Sequence, residues 1–139
     1  MSGPDEAHPA SLAEVESNFG RHLGLRLVSA EPDRVVAELL VGEEHCNRNG
    51  VLHGGAIMAL ADNTGGTATL MNLPAGTGTT TIESKTNFFA AIRLGEIARA
   101  ECTPLHRGRS TQVWQTRITR PDGKLAALVT QTQMVLTRG

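Results

Sequence analysis

The hydrophobic pattern changes its period along the chain, and the first patterned stretch is helical. Leu12, Val15 and Phe19 recur at intervals of three and four residues, which is the spacing of one helix face. Ser11 stands where an N-terminal cap is expected. The sequence therefore predicts a short helix over 11–22, preceded by a polar, proline-containing tail.

Strand patterns follow this helix and fill the second half of the chain. They are rich in β-branched residues or alternate between apolar and polar positions, and turn-forming residues separate them. The strongest separator is Arg120-Pro121-Asp122-Gly123-Lys124, with Pro and Gly at positions that turn geometry favours. Six strands are predicted: 25–30, 34–41, 79–89, 94–105, 110–120 and 125–136.

One long helix is predicted between the second and third strands. Its pattern starts at Gly54 and continues to about Asn72, where Leu73-Pro74-Ala75-Gly76 ends it. The preceding stretch, 42–52, is rich in Gly, Asn and charged residues and is predicted to be a loop.

This order of elements indicates an α+β fold. One long helix packed against an antiparallel sheet of about six strands is a stable layered arrangement. We assign residues 1–24 to an N-terminal tail and short helix, and residues 25–139 to one domain. Because a single helix covers only one face of such a sheet and leaves edge strands open, the pattern also favours a homo-oligomer.

Composition and charge exclude several classes of partner. The 139 residues carry a formal net charge of −1 and include three Phe, one Trp and no Tyr, so neither the basic stripe nor the aromatic set of a nucleic-acid binder is present. No apolar run approaches the roughly 18 residues of a membrane span, and no signal-peptide pattern is visible. Cys46 and Cys102 are widely separated, which fits a reducing compartment, and we expect a cytoplasmic location.

The start of the long helix carries the first candidate chemistry. Gly54 and Gly55 follow a polar loop and open the helix, where backbone N–H groups lack helical partners and the helix dipole is positive. With no side chains in the way, an anion or a polarised carbonyl oxygen can approach these donors. The alternative is that the two glycines only permit a tight turn into the helix.

Asp62 is the second candidate, because it places a carboxylate in an otherwise apolar helix. Its neighbours one turn away are apolar or small: Met58, Ala59, Gly65 and Gly66. A carboxylate in such surroundings is costly unless it has partners or a function. The alternative is an Asp on an exposed stripe, or one hydrogen-bonded to Asn63 or a nearby threonine.

Helix geometry separates these two candidates. Eight residues place Gly54 and Asp62 about 12 Å apart along the axis and roughly 80° apart in azimuth. A small reacting group therefore does not easily contact both residues of one subunit. If they cooperate, the hypothesis is that Asp62 acts on a carbonyl held at Gly54 of the partner subunit, across a two-fold dimer interface.

The histidines before the helix have less specific roles. His53 is a candidate general base, but a histidine just before a helix more often orients a loop by hydrogen bonding. His45, Cys46 and His53 lack a fourth ligand at a familiar spacing, so we predict no metal site.

The segment Asn47-Arg48-Asn49-Gly50-Val51-Leu52-His53-Gly54-Gly55, followed by Leu60-Ala61-Asp62, closely resembles the signature of the PaaI-like hotdog-fold acyl-CoA thioesterases. The similarity continues through 79–96, the turn at Gly108 and the hairpin 122–126, and extends over roughly 25–136. The resemblance implies a hotdog fold, a curved antiparallel sheet wrapped around one long central helix, assembled as dimers and tetramers. It also implies hydrolysis of an acyl-CoA thioester to free acid and CoA, without a cofactor.

The resemblance also implies residue roles. Gly54 would donate its backbone N–H to the thioester carbonyl, and Asn47 would assist or hold the loop. His53 would be structural. Asp62 of the facing subunit would be the general base on water, or the nucleophile. Thr81 falls where relatives often carry a hydroxyl that helps to place the water.

CoA carries phosphates, so basic groups are expected around the pocket. We predict substrate or CoA contacts at Gly55, Arg93, Arg107, Arg109 and Ser110. The alternative for each arginine is ordinary solvated charge. An aryl or medium-chain acyl group would contact apolar residues near the helix, which are equally candidates for the core: Ile57, Met58, Leu60, Phe88 and Phe89.

Two other functions stay open as alternatives. A hotdog enoyl-CoA hydratase or dehydratase would resemble this chain in fold, but its His is followed by prolines, whereas His53 is followed by Gly-Gly. A non-catalytic acyl-CoA-binding hotdog protein would have no need of Asp62.

Overall fold

The computed structural model describes residues 16–137 and contains the predicted elements in the predicted order. A turn of 3-10 helix, Glu43–His45, lies within the predicted loop. The helices are α1, Asn18–Leu23, and α2, Gly54–Leu70; the strands are β1, Arg26–Glu31, β2, Arg34–Leu40, β3, Thr77–Phe88, β4, Ile97–Arg107, β5, Thr111–Thr119, and β6, Leu125–Thr137.

The six strands form one antiparallel sheet in the order β1-β2-β4-β5-β6-β3. This confirms the predicted α+β class. β3 lies at an edge and pairs with β6 along its whole length. A bulge between Thr81 and Glu83 interrupts the alternation predicted for β3. As a result Thr81 lies opposite Gln133 and Ser84 lies opposite Gln131, so residues on both sides of the bulge occupy the helix-facing side of the sheet.

The core lies between α2 and the sheet. α2 buries Ile57, Leu60, Ala61 and Ala68, which recur at helical spacing. The sheet meets this face with small residues, so the helix can approach the strands closely. Four of these small residues are fully buried: Ala98, Ala100, Ala126 and Ala127.

The N-terminal helix starts later than its sequence pattern predicts. Ser17 is extended and caps α1, because its hydroxyl accepts the N–H of Gly20 at 2.8 Å. The same hydroxyl donates to Asn63 Oδ1 at 2.9 Å and so attaches α1 to α2. The predicted cap, Ser11, lies outside the described residues.

Strand ends differ from their predicted positions by a few residues. The largest difference is at β4, which starts at Ile97 rather than Leu94. A turn occupies the intervening residues: Gly95 has φ +86° and the N–H of Glu96 donates to Arg93 O. Within residues 16–137, none of the helices combines the length and hydropathy that a bilayer crossing requires.

Candidate active site

The loop before α2 is fastened at several points. Asn47 closes its turn: Oδ1 accepts the backbone N–H two residues on at 2.9 Å, and the Asn47 N–H donates to Val51 O at 2.9 Å. Single β-bridges join Cys46 to Leu52 and Val51 to Arg93. These contacts hold the loop, which is one of the two roles predicted for Asn47.

His53 caps α2 with its ring. Nδ1 accepts the N–H of Gly55 at 2.8 Å, so the neutral ring carries its proton on Nε2. A Cβ at Gly55 would lie 2.9 Å from Nδ1, so the cap needs a glycine there. These contacts give His53 a structural role, and they occupy the Gly55 N–H that was predicted to bind substrate.

The N–H of Gly54 is the open donor at this helix end. It donates to no group within residues 16–137, and the first turn of α2 contains no acidic side chain. The positive end of the helix dipole is therefore not neutralised there. A Cβ at Gly54 would lie 3.2 Å from Cζ of Phe88, so the glycine allows this aromatic ring to form an apolar wall beside the donor.

A cleft of about 220 Å³ adjoins the helix start. Phe19, Leu23 and Ala59 supply apolar lining, and His45 and His53 add polar groups. His45 is fully engaged: Nδ1 accepts the Gly42 N–H at 2.9 Å and Nε2 donates to Leu23 O at 2.6 Å. Across the described part of the chain, no three His, Cys, Asp or Glu side chains are grouped to hold a metal ion.

Asp62 lies in a second cleft, of about 320 Å³, on the exposed side of α2. Its Oδ1 accepts two hydrogen bonds, from the Thr81 hydroxyl at 2.7 Å and from Gln131 Nε2 at 2.9 Å. The other oxygen, Oδ2, accepts no hydrogen bond from the residues that the structure describes. The carboxylate is thus held through one oxygen, and the other is available to the cleft.

Thr81 is the centre of a directional chain of hydrogen bonds. Its hydroxyl oxygen accepts from Gln133 Nε2 at 2.6 Å and from Gln131 Nε2 at 3.3 Å. Because a hydroxyl has two lone pairs and one proton, that proton is directed to Asp62. Thr79 lies behind Gln133, where its hydroxyl proton has two acceptors, Gln133 Oε1 and Met134 O, each at 2.9 Å. The resemblance implies that Thr81 helps to place the water. In the structure its hydroxyl instead contacts the carboxylate, and protein groups occupy both of its lone pairs.

Gln131 and Gln133 are the site residues that the sequence analysis missed. Both are buried, at 0% and 1% exposure. They continue the inner face of β6 after Ala127 and Val129 at a spacing of two. That spacing could have found them, because a glutamine at a buried position needs partners. Gln131 Oε1 has no partner in the described residues, and an unpaired buried acceptor costs about 1–3 kcal/mol.

The arginines predicted to bind CoA are divided between opposite ends of α2. Arg93 bridges to the loop at the helix start. Arg107 lies at the other end, where Nη1 donates to Asp33 Oδ1 at 2.8 Å and to Asn72 Oδ1 at 3.3 Å. Arg109 and Ser110 are exposed in the turn that follows Arg107. The helix separates the two groups by about 27 Å, so one subunit does not bring them to a single pocket.

The apolar residues predicted near the pocket fall into two groups. Ile57 and Leu60 are buried in the core against the sheet. Met58, Phe88 and Phe89 are between 38% and 57% exposed. Only the second group is placed to contact an acyl chain from the surface.

Comparison with known proteins finds a family match over most of the structured chain. Residues 49–127 match the family model described as thioesterase superfamily. Human acyl-coenzyme A thioesterase 13 is 34% identical over 112 residues, which cover 79% of each chain.

Solved structures show the same fold. A mutant of the phenylacetic acid degradation protein PaaI from Thermus thermophilus matches with a TM-score of 0.79 at 25% identity, covering 85% of this chain and 98% of that one. A Streptococcus mutans protein solved with bound acetyl CoA matches with a TM-score of 0.75 at 26% identity, covering 82% of this chain and 90% of that one.

Proposed function

The chain belongs to the thioesterase superfamily and is a thioester hydrolase, and we propose that it converts an aryl- or medium-chain acyl-CoA to the free acid and CoA. The predicted PaaI-like hotdog fold is confirmed. One observation carries the proposal: α2 presents a backbone N–H at Gly54 that pairs with no group in residues 16–137, and a carboxylate at Asp62 that is held through one oxygen.

The two groups act in one reaction. The Gly54 N–H donates to the thioester carbonyl and stabilises the negative charge that develops on its oxygen. Asp62 Oδ2 takes a proton from water, and the hydroxide so formed attacks the carbonyl carbon. The tetrahedral intermediate then collapses, the C–S bond breaks, and CoA leaves as a thiolate that needs no strong general acid. Direct attack by Oδ2, giving an anhydride that water hydrolyses, is the covalent version of the same chemistry.

The site is completed by a second copy of the chain. Gly54 and Asp62 are separated by about 12 Å along one helix. Gly54 of each subunit therefore acts together with Asp62 of the partner subunit. The edge strand β3 supports such an arrangement, because its outer side is not paired to any strand of the described chain. It is 12 residues long and carries the exposed Ile82. Antiparallel pairing of two β3 strands would join two sheets around a two-fold axis. A dimer of such dimers stays a prediction.

CoA and the acyl group are assigned to different surfaces. Of the three arginines predicted to bind CoA, Arg93 lies beside the Gly54 end of the site, and we assign it to the CoA phosphates. Arg107 is committed to the turn after β1, while Arg109 and Ser110 would reach a substrate only from a neighbouring copy. Met58, Phe88 and Phe89 are the apolar surface that we assign to the acyl group. A cytoplasmic location remains an expectation from the sequence.

A backbone donor can be tested with a matched pair of substitutions. Gly54→Pro removes the N–H at the first helical position, where proline is well tolerated, and His53 already has the extended conformation that a residue before proline needs. Gly54→Ala places a Cβ against Phe88 in the same way but keeps the N–H. The assay measures thiol release during hydrolysis of benzoyl-, phenylacetyl-, hexanoyl- and decanoyl-CoA. We expect the kcat of Gly54→Pro to be about 10²–10³-fold lower than that of Gly54→Ala.

Subunit mixing tests whether the site is shared. Gly54→Pro and Asp62→Asn are each expected to be inactive. In a heterodimer of the two, a shared arrangement leaves one of the two sites intact. Random pairing at equal amounts should therefore restore about a quarter of wild-type activity. If mixed subunits stay as inactive as either parent, each site lies within one chain and the shared arrangement is wrong.

A further inference from the structure

Gln131 gives the Asp62 carboxylate its orientation, although it does not reach the cleft itself. We infer that Gln131 is a positioning residue: its buried amide holds Asp62 Oδ1 so that Oδ2 is the oxygen that acts on water or on the thioester. The inference rests on the proposed function, because it specifies the working oxygen of the proposed base. It is carried by three features of the structure: the direction of the hydrogen bonds, their convergence on one atom, and the residues that make room for the amide.

The direction of the hydrogen bonds fixes the Gln131 amide. Nε2 lies 2.9 Å from Asp62 Oδ1 and 3.3 Å from Thr81 Oγ1. A flipped amide would place Oε1 against the ionised carboxylate oxygen, so only one orientation is favourable. Gln133 is fixed by Thr81: because the Thr81 proton is directed to Asp62, Gln133 must donate its Nε2 to the Thr81 oxygen. The order of donors from Gln133 to Asp62 is therefore unique.

Convergence on one oxygen is what positions the group. The Thr81 hydroxyl and the Gln131 amide both donate to Oδ1. Two donors from different residues restrict both the side-chain rotamer of Asp62 and the rotation of its carboxylate about the Cβ–Cγ bond. Thr81 has a single donor, so it would leave this rotation free if it acted without Gln131.

The residues that place the Gln131 amide beside Asp62 lower the stability of the fold, so stability does not explain why they are present. Gln131 occupies an inner position of β6, two residues after the fully buried Val129. Its Oε1 has no partner in the described residues. Room for the amide is made by Gly65, where a Cβ would lie 2.7 Å from Gln131 Cδ, although glycine weakens a helix interior. The buried glutamine and the helical glycine are both unfavourable for stability, and both are needed for the same N–H···O bond to Asp62. Such a combination is typical of a functional site.

The test replaces the amide with a side chain of similar length that cannot donate. Gln131→Met keeps the volume and removes the hydrogen bond, and Gln131→Leu removes it with a second apolar side chain of similar size. The matched control is Gln112→Met. Gln112 is also buried and lies on the adjacent strand, but its amide contacts Trp114 and Asn72 instead of the site. Thermal unfolding verifies that all three variants are folded.

A positioning role predicts a specific change in the kinetics. With the acyl-CoA on which the wild type is most active, kcat of Gln131→Met should fall about 10²-fold while KM stays within about twofold, since binding is retained and only the geometry of the base is lost. Gln131→Leu should be slowed to a similar extent, and Gln112→Met should match the wild type. If Gln131→Met keeps wild-type kcat while Asp62→Asn is inactive, the positioning role is wrong and the proposed function stands.

A crystallographic comparison tests the same point without turnover. In crystals of Gln131→Met, the Asp62 carboxylate should rotate or occupy more than one conformer, whereas in Gln112→Met it should keep the wild-type orientation. An unchanged, singly ordered Asp62 in Gln131→Met would overturn the inference. This comparison decides the matter even if no acyl-CoA is hydrolysed, a result that would count against the proposed function alone.

Discussion

Two adjacent glycines of α2 should respond to alanine in opposite directions. A Cβ at Gly65 would collide with the Gln131 amide, lying 2.7 Å from Cδ and closer still to Oε1. A Cβ at Gly66 would meet nothing within 4 Å. Both residues are helical, so alanine brings each variant the same gain in helix propensity, about 1 kcal/mol. The two variants thus differ only in what the new methyl group meets.

The expected difference follows from the displaced amide. At Gly65 the added methyl overpacks a buried site, which costs about 1–3 kcal/mol. Moving Gln131 also weakens its hydrogen bonds to Asp62 and Thr81, at about 1 kcal/mol each. After the propensity gain, Gly65→Ala should be about 2–4 kcal/mol less stable than the wild type. Gly66→Ala should be about 1 kcal/mol more stable.

Urea and thermal unfolding at one fixed protein concentration measure both variants. The two thermal midpoints should differ by roughly 9–15 °C, because the variants differ by about 3–5 kcal/mol and 1 kcal/mol corresponds to about 3 °C for a chain of this size. The double variant Gly65→Ala/Gln131→Ala adds a coupling test. Shortening Gln131 should be less damaging beside Ala at 65 than beside Gly. Equal shifts of the same sign for Gly65→Ala and Gly66→Ala would refute the packing of Gln131 against the helix.

Two further predictions concern titratable groups outside the site. The hydrogen bond from Arg120 lowers the pKa of Asp122 from 3.8 to about 2, so the stability that this pair supplies is complete above pH 3.8 and is lost as the pH falls through about 2. Thermal unfolding should therefore show Asp122→Asn less stable than the wild type at pH 6, with a difference that shrinks below pH 3.8 and is mostly lost at about pH 2; a constant difference would contradict this. Burial raises the pKa of the Cys102 thiol to about 11. At pH 8 a disulfide reagent should therefore modify only the half-buried Cys46 until the protein is unfolded, and rapid modification of a Cys46→Ser variant would contradict the burial of Cys102.

The predicted fold agrees with the structure because its signals are local. The turn at 120–124 forms as its Pro-Asp-Gly sequence predicts, with Gly123 at φ +85°. The start of α2 at Gly54 also agrees, since the preceding loop and the glycine pair mark it. The bulge at Thr81 was not predictable, because it depends on pairing with β6, 50 residues further along the chain.

The candidate site was only partly accessible from the sequence, for the same reason. The sequence points to Asp62 because a carboxylate disturbs an apolar helix pattern, and a threonine partner is one of the alternatives that it allows. The register of the strands determines which threonine contacts Asp62 and which two glutamines lie behind it, and the sequence does not show this register. The separation of Arg93 from Arg107 was not predictable either. Both arginines lie next to turns, and the local sequence does not indicate which end of α2 each one approaches.

A backbone donor also changes how this region tolerates mutation. Exchanging an exposed side chain of the loop, such as Arg48, leaves the Gly54 N–H where it is, as long as Asn47, His53 and the bridges from Cys46 to Leu52 and from Val51 to Arg93 keep their contacts. Inserting or deleting one residue would instead advance the helix start by about 1.5 Å and turn it by about 100°. The exposed positions of the loop therefore tolerate a change of side chain, while its length does not tolerate a change.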